Sequence, residues 1–186
     1  MKNIISEEVL DDFDAIQVPK GNKRIRVSEK TWAKMVKGRV KGAKKAKKLV
    51  VGRLYTFQYK PKHFKTLPFY DKFPIILLIA KYPDGFLGLN LHYVSRVKRK
   101  ILLRIFLQRF LKVKTPTNRT RLTGIEWNTV KNSIPEAGVM VKRYLGDHVQ
   151  GVGVIEVPFF EWRTAILMPT QQFKGALATE IWDGRI

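Results

Sequence analysis

Between Gly52 and Tyr93, apolar and polar residues trade places in the two-residue rhythm of extended chain. Arg53-Leu54-Tyr55-Thr56-Phe57-Gln58-Tyr59 predicts a strand carrying Tyr55, Phe57 and Tyr59 on one face. Pro61, Pro68 and Pro74 cut the following stretch into turns. The run Pro74-Ile75-Ile76-Leu77-Leu78-Ile79-Ala80 is apolar throughout but too short for a buried helix, so it predicts a central strand covered on both faces. Pro83-Asp84-Gly85 predicts a turn, and Gly88-Leu89-Asn90-Leu91-His92-Tyr93 a partner strand.

The rhythm then lengthens. Ser95 is placed to cap a helix running to about Val113, with Arg96, Lys100 and Arg104 at i, i+4 spacing along one stripe. Thr115-Pro116-Thr117-Asn118 predicts a loop, and 125–134 a short helix stopped by Pro135. Helical spacing recurs over 141–149, a strand over 152–157, a helix opened by Pro158 and carrying Trp162, and a last helix over 170–182 with Phe173, Leu177 and Ile181 on one side. Upstream, Ser28 followed by Trp32, Val36, Val40 and Ala43 predicts a basic helix over about 29–49. Gly38 and Gly42 weaken it by about 1 kcal/mol each, so docking or binding must help to order it. The sum is an α+β protein: a small, mostly antiparallel sheet packed by helices, with a basic N-terminal helical arm. Residues 1–50 are expected to form an acidic tip and lysine-rich arm, and 51–186 the compact domain.

Composition adds the partner. At 186 residues, 45% hydrophobic and 11% aromatic, the chain has ample material for one core. Its 36 Lys and Arg against 15 Asp and Glu leave a formal charge of +21, which favours a compact state only with a polyanion nearby. The charge is also segregated. Glu7, Glu8, Asp11, Asp12 and Asp14 mark the tip, whereas 20–53 holds Glu29 as its single acid and 96–121 holds none.

Two basic blocks therefore stand out: Lys41, Lys44, Lys45, Lys47 and Lys48 in the first, and Arg96, Arg99, Lys100 and Arg104 in the second. They lack the interspersed acids of a self-neutralised surface. The basic helix has no broad apolar face for a membrane, and the apolar run at 74–80 is far short of the roughly 18 residues a spanning helix needs. The expected partner is a nucleic acid, not a membrane. Lysine-dominated contact points to phosphate and not to base edges, so binding should be independent of sequence and strongly weakened by salt.

Chemistry finds little footing. The absence of cysteine excludes disulfides, thiolate zinc sites and thiol nucleophiles. His63, His92 and His148 lack metal-ligand spacing, and His92 is better suited to a hydrogen-bonded structural role. No nucleophile elbow, P-loop or dinucleotide fingerprint is present, and Gly85, Gly88, Gly151 and Gly153 are expected at turns or bulges. A Mg²⁺ nuclease would need converging carboxylates beside a lysine on a hairpin, and no such spacing is found. The expectation is no catalytic residue, no metal, no cofactor and no small-molecule substrate.

Several motifs resemble the DNA end protector, or head-completion, proteins of T4-type tailed bacteriophages. They are Gly52-Arg53-Leu54-Tyr55-Thr56-Phe57-Gln58-Tyr59 with Lys60-Pro61-Lys62; Leu67-Pro68-Phe69-Tyr70-Asp71-Lys72-Phe73-Pro74; Asp84-Gly85-Phe86-Leu87-Gly88-Leu89-Asn90-Leu91-His92-Tyr93; Lys142-Arg143-Tyr144-Leu145; and Glu161-Trp162-Arg163-Thr164-Ala165-Ile166-Leu167-Met168-Pro169. They span most of 52–182, leaving the lysine-rich arm outside. The resemblance implies a virion protein of the head–neck region, present in host cytoplasm during assembly and after ejection. It would sit on the end of packaged linear duplex DNA, shield it from host exonuclease, and touch other head or neck proteins. A purely structural neck subunit and a head-associated nuclease are the alternatives. Within the motifs, Asp71 and Asn90 are suited to tying down turns by local hydrogen bonds.

Overall fold

The computed structural model describes residues 40–112, 137–167 and 172–184, together with Trp32, Lys34, Val36, Gly38 and Asn132. Its centre is a six-stranded sheet in which every pairing is antiparallel. In spatial order its strands are β1 (Lys44–Lys45), β7 (Val149–Val157), β2 (Leu54–Tyr59), β4 (Ile75–Tyr82), β5 (Gly85–Asn90) and β6 (Val141–Leu145), numbered by their place in the chain. A separate pair joins β3 (Tyr70–Asp71) to β8 (Phe173–Lys174). The helices are α1 (Arg96–Lys112), α2 (Ala137–Met140), α3 (Trp162–Leu167) and α4 (Ala178–Trp182). The α+β reading holds, with β2 and β4 in the middle of the sheet as their patterns predict.

The sheet cannot be flat. β6 and β7 lie four strand spacings apart, about 19 Å in a flat sheet, yet only the 3₁₀ turn Gly146–His148 joins them, and such a turn advances about 2 Å per residue. The sheet therefore coils until its two sides meet. The Leu145 N–H donates to the Tyr59 hydroxyl at 3.2 Å, and the Lys60 N–H donates to the His148 carbonyl at 3.2 Å. Inside the coil Tyr55, Phe57, Tyr59, Ile76, Leu78, Phe86 and Tyr144 form one core. Phe57 meets its neighbours edge to face, Tyr144 at 5.1 Å and 89° and Phe86 at 5.4 Å and 84°. The predicted shared face of Tyr55, Phe57 and Tyr59 is this interior.

The sheet's other face carries Leu54, Ile75, Leu77, Leu89, Ile155 and Val157 into a second core with Leu102, Leu103 and Phe106 of α1, Ala137 and Met140 of α2, and Trp162 of α3. Trp32, Val36 and Val40 belong to the same core, and Trp32 stacks on Phe73 with centroids 4.9 Å apart. Burying such side chains stabilises the packing by about 1.5–3 kcal/mol each, which docks this part of the basic arm on the domain.

Four elements depart from the sequence reading. The arm is helical at Trp32, Lys34, Val36 and Gly38, but Gly42 at φ 70° ends it, and Lys44–Lys45 form an edge strand where a helix to residue 49 is predicted. Val141–Leu145 is a strand, not a helix: Val141, Tyr144 and Leu145 mimic helical spacing, but the open edge of β5 supplies backbone partners and Tyr144 lies opposite Phe86. The last predicted helix is split, because a Cβ on Gly175 (φ 89°) would stand 2.1 Å from the Pro68 carbonyl oxygen. The chain instead pairs as β8 before starting α4. The strand expected at 88–93 begins earlier, at Gly85, and gives way to a 3₁₀ turn at Leu91–Tyr93. Gly85 and Gly88 accordingly stand inside β5, where neighbouring strands leave no room for a Cβ, whereas Gly151 and Gly153 have the positive φ of irregular strand positions. Of the helix expected at 125–134 only Asn132 is described, and it is helical; the loop at 115–118 lies outside the described residues.

Asp71 holds this junction together. One carboxylate oxygen accepts the Phe73 N–H at 3.2 Å; the other accepts the Asn90 amide at 3.1 Å and faces His92 Nδ1 at 2.6 Å. Asn90 also donates to the Tyr144 hydroxyl at 3.0 Å and accepts the His92 N–H at 3.0 Å. All four side chains are buried, so these polar groups serve the fold and have no access to a substrate. The structural reading of Asp71, Asn90 and His92 holds.

Candidate nucleic-acid interface

From Lys41 to Val50 the chain follows a period of three that suits neither helix nor ordinary strand. Ala43, Ala46 and Leu49 are half-buried, while Lys41, Lys44, Lys45, Lys47 and Lys48 between them are exposed. Ala43 packs on the core that α1 covers, whereas Ala46 and Leu49 pack on the core inside the coil. The segment is thus a strap crossing the sheet's open edge from one face to the other. β7 anchors it, with Lys44 opposite Glu156, Lys45 opposite Ile155, and the Ala46 N–H donating to the Val154 carbonyl at 2.9 Å. Small residues grip the edge and pairs of lysines project from it.

Local carboxylates do little to neutralise this strap. Glu156, the acid nearest in register, forms an ion pair with Arg53. Asp84 pairs with Arg143, Asp71 is buried in its network, and Glu180 accepts the Leu177 N–H at 2.6 Å. Among the described residues no ion pair involves the five strap lysines. Beside the strap, Phe160 projects from the 3₁₀ turn Phe159–Glu161. A Cβ built on Gly42 would lie 3.4 Å from its Cζ.

The second basic block is arranged differently. Along α1 the Arg96 and Arg99 side chains face inward, and Arg99 is only 1% exposed. Its Nε donates to the Val94 carbonyl at 3.0 Å, a second nitrogen reaches the His92 carbonyl at 3.5 Å, and the guanidinium lies over the Trp182 ring at 5.4 Å. Burial and the neighbouring Arg96 draw the Arg99 pKa down to about 9, against an upward pull from Asp71. Lys100 is half-buried and Arg104 exposed, so the i, i+4 stripe opens outward only toward its C-terminal end. The helix presents Val97 and Ile101 to solvent instead, 55% and 45% exposed.

Other cations rest on rings: Lys142 Nζ 4.3 Å from the Tyr93 centroid, Arg143 4.3 Å from Tyr82, and Lys60 Nζ 4.2 Å from Phe64. Lys142 and Arg143 lie on β6, Tyr93 in the 3₁₀ turn after β5 and Tyr82 at the end of β4, so spacing along the chain does not reveal these contacts. The strap itself had a legible signal, the repeat Ala43-Lys44-Lys45-Ala46-Lys47-Lys48-Leu49, which helical periodicity overshadowed.

The sequence model of the family described as phage T4 terminal DNA protecting protein matches residues 9–182. The chain belongs to that family. The match starts well upstream of Gly52, so the lysine strap and the arm before it lie within the terminal DNA protecting family's span instead of outside it. No curated protein and no solved structure matches the chain. Among the described residues no group of three or more His, Asp or Glu side chains could hold a metal ion, and no helix is long and apolar enough to cross a membrane.

Proposed function

We propose that this phage protein binds the end of packaged linear double-stranded DNA through its phosphates and shields that end from exonuclease, without cleaving it. The observation that carries the reading is the strap: Lys41, Lys44, Lys45, Lys47 and Lys48, all exposed along one sheet edge whose nearest carboxylate is held by Arg53. Such a row gains affinity by releasing counterions from the duplex, and at spacings set by an extended backbone it can follow a phosphate chain without reading bases. The family's name supplies the DNA terminus as target. Lys100 and Arg104 add cations on a second surface, while Arg96 and Arg99 support the fold that presents them.

A virion position in the head–neck region fits the exposed Val97 and Ile101 on α1, an apolar stripe suited to another head or neck subunit. That feature also favours the second reading, a structural neck subunit whose cations line a DNA passage. Exonuclease digestion separates the two. The protein should delay degradation of blunt-ended linear duplex, and binding should prefer that duplex over closed circles. Equal binding to both forms with no protection would leave the structural reading in its place.

A further inference from the structure

Phosphate contact alone cannot tell a DNA end from its interior, since both present the same backbone. What only an end offers is the flat face of its terminal base pair, which elsewhere is covered by the next pair. Reading that face calls for an exposed ring beside a cationic surface. Phe160 is such a ring: it is 66% exposed, the most exposed large apolar side chain among the described residues.

Its placement follows from local chemistry. In the 3₁₀ turn Phe159–Glu161 the two adjacent phenylalanines part company. Phe159 turns inward, its ring 4.8 Å from that of Trp162, and Phe160 is left outside. Pro158 fixes the approach to the turn at φ −59°. On the strap side Gly42 lies against the ring: a Cβ there would stand 3.4 Å from Phe160 Cζ and 3.5 Å from Pro158 Cγ. The ring therefore stands at the strap's beginning, where Lys41 flanks Gly42 and Lys44 follows two residues on.

We infer that Phe160 stacks on the terminal base pair while the strap lysines hold the adjoining phosphates, making Phe160 the group that reads the end. This rests on the proposed DNA-binding function and names the residue that would give it end preference. A base face accepts any ring regardless of sequence, which suits an end reader blind to base identity. It also covers the end that an exonuclease must engage before it reaches the terminal phosphodiester.

The test uses the full chain and two probes of equal length, a blunt-ended linear duplex and the same duplex closed into a circle. Phe160→Ala should lower affinity for the linear form by about ten-fold, a typical loss for one stacked ring, and leave the circle unchanged. Phe160→Trp should retain or raise end preference. Phe160→Leu, which keeps apolar bulk but lacks a π face, should behave like Phe160→Ala. A 2-aminopurine in the terminal pair should change fluorescence with the wild type but not with Phe160→Ala.

Equal losses on both probes, or a leucine variant as good as wild type, would overturn the inference. If the wild type prefers ends and Phe160→Ala keeps that preference, the stacking role fails while the proposed function stands. If the wild type shows no end preference, both lose end recognition, and its salt dependence then decides whether phosphate binding survives.

Discussion

The two basic blocks are alike as sequence and opposite as structure. The first, Lys41 to Lys48, lies wholly outside, pinned to the sheet edge by Ala43, Ala46 and Leu49. The second begins inside, with Arg96 and Arg99 buried under α1 while Val97 and Ile101 face solvent. Cation density therefore locates neither a surface nor a site. What decides is which neighbouring residues the fold can bury: small ones between the lysines of the strap, and Leu102, Leu103 and Phe106 along α1, whose inward face takes the arginines with it. One block should couple binding to salt and the other should couple folding to packing.

The sharpest way to break that contrast is to remove the strap's charge. Changing Lys41, Lys44, Lys45, Lys47 and Lys48 together to Ala should reduce the slope of log affinity against log salt by about 4.5. That amounts to roughly 500-fold of the affinity change between 50 and 200 mM salt. Stability should hardly move, because exposed sites away from packing usually shift it by less than about 0.5 kcal/mol each. Titration of labelled duplex at several salt concentrations, with urea unfolding as control, measures both. An unaltered slope would remove the strap from the interface.

Arg99→Ala should show the reverse. Deleting a buried guanidinium leaves the Val94 and His92 carbonyls without those donors and opens space beside Trp182, at a cost of about 3 kcal/mol in unfolding free energy. Arg99→Met, apolar and of similar length, should recover part of it. In either variant the DNA salt slope of the folded protein should match wild type. A reduced slope with intact stability would mean that Arg99 swings out to phosphate.

Between pH 7 and pH 5 a pH dependence of stability should come from the buried region. Burial holds the His92 pKa below its ordinary value of 6.5, opposed by Asp71 and aided by Arg99 and Arg96. With the folded value below the unfolded one, the unfolded chain takes up a proton that the folded chain resists. Stability from this group is complete above about pH 6.5 and declines as pH falls below it, by at most about 1.4 kcal/mol per unit. Urea midpoints at pH 7 and pH 5 should diverge more for wild type than for His92→Asn, and equal divergence would count against His92 as the source.

These contrasts also show how far the sequence could be read. The central strands and α1 were legible because a period of two in 53–59, an unbroken apolar run in 75–80 and a cap at Ser95 each have one reading that buries everything. Residues 141–145 and 173–174 were not, since each is a strand only by virtue of an open partner, β5 for one and β3 for the other. The strap lysines were legible as a charged block, but their exposure depends on β7 taking up Lys44 and Lys45 as an edge strand. The inward turn of Arg99 was hidden for the same reason: it depends on Trp182, distant in sequence, arriving over the guanidinium.

The finest division runs through α1 itself, between its buried arginines and the two cations beyond them. Lys100 is half-buried and Arg104 exposed, so both can reach phosphate without unpacking the helix. The double change Lys100→Ala and Arg104→Ala should lower the salt slope by no more than about 1.8, the ceiling for two contacts, and leave end preference intact. Combined with the strap variant, the losses should add, because the two surfaces would be touching separate stretches of backbone. A loss in the combined variant no greater than the strap's own would mean that Lys100 and Arg104 never meet DNA. Val97 and Ile101 would then define that face as a protein contact.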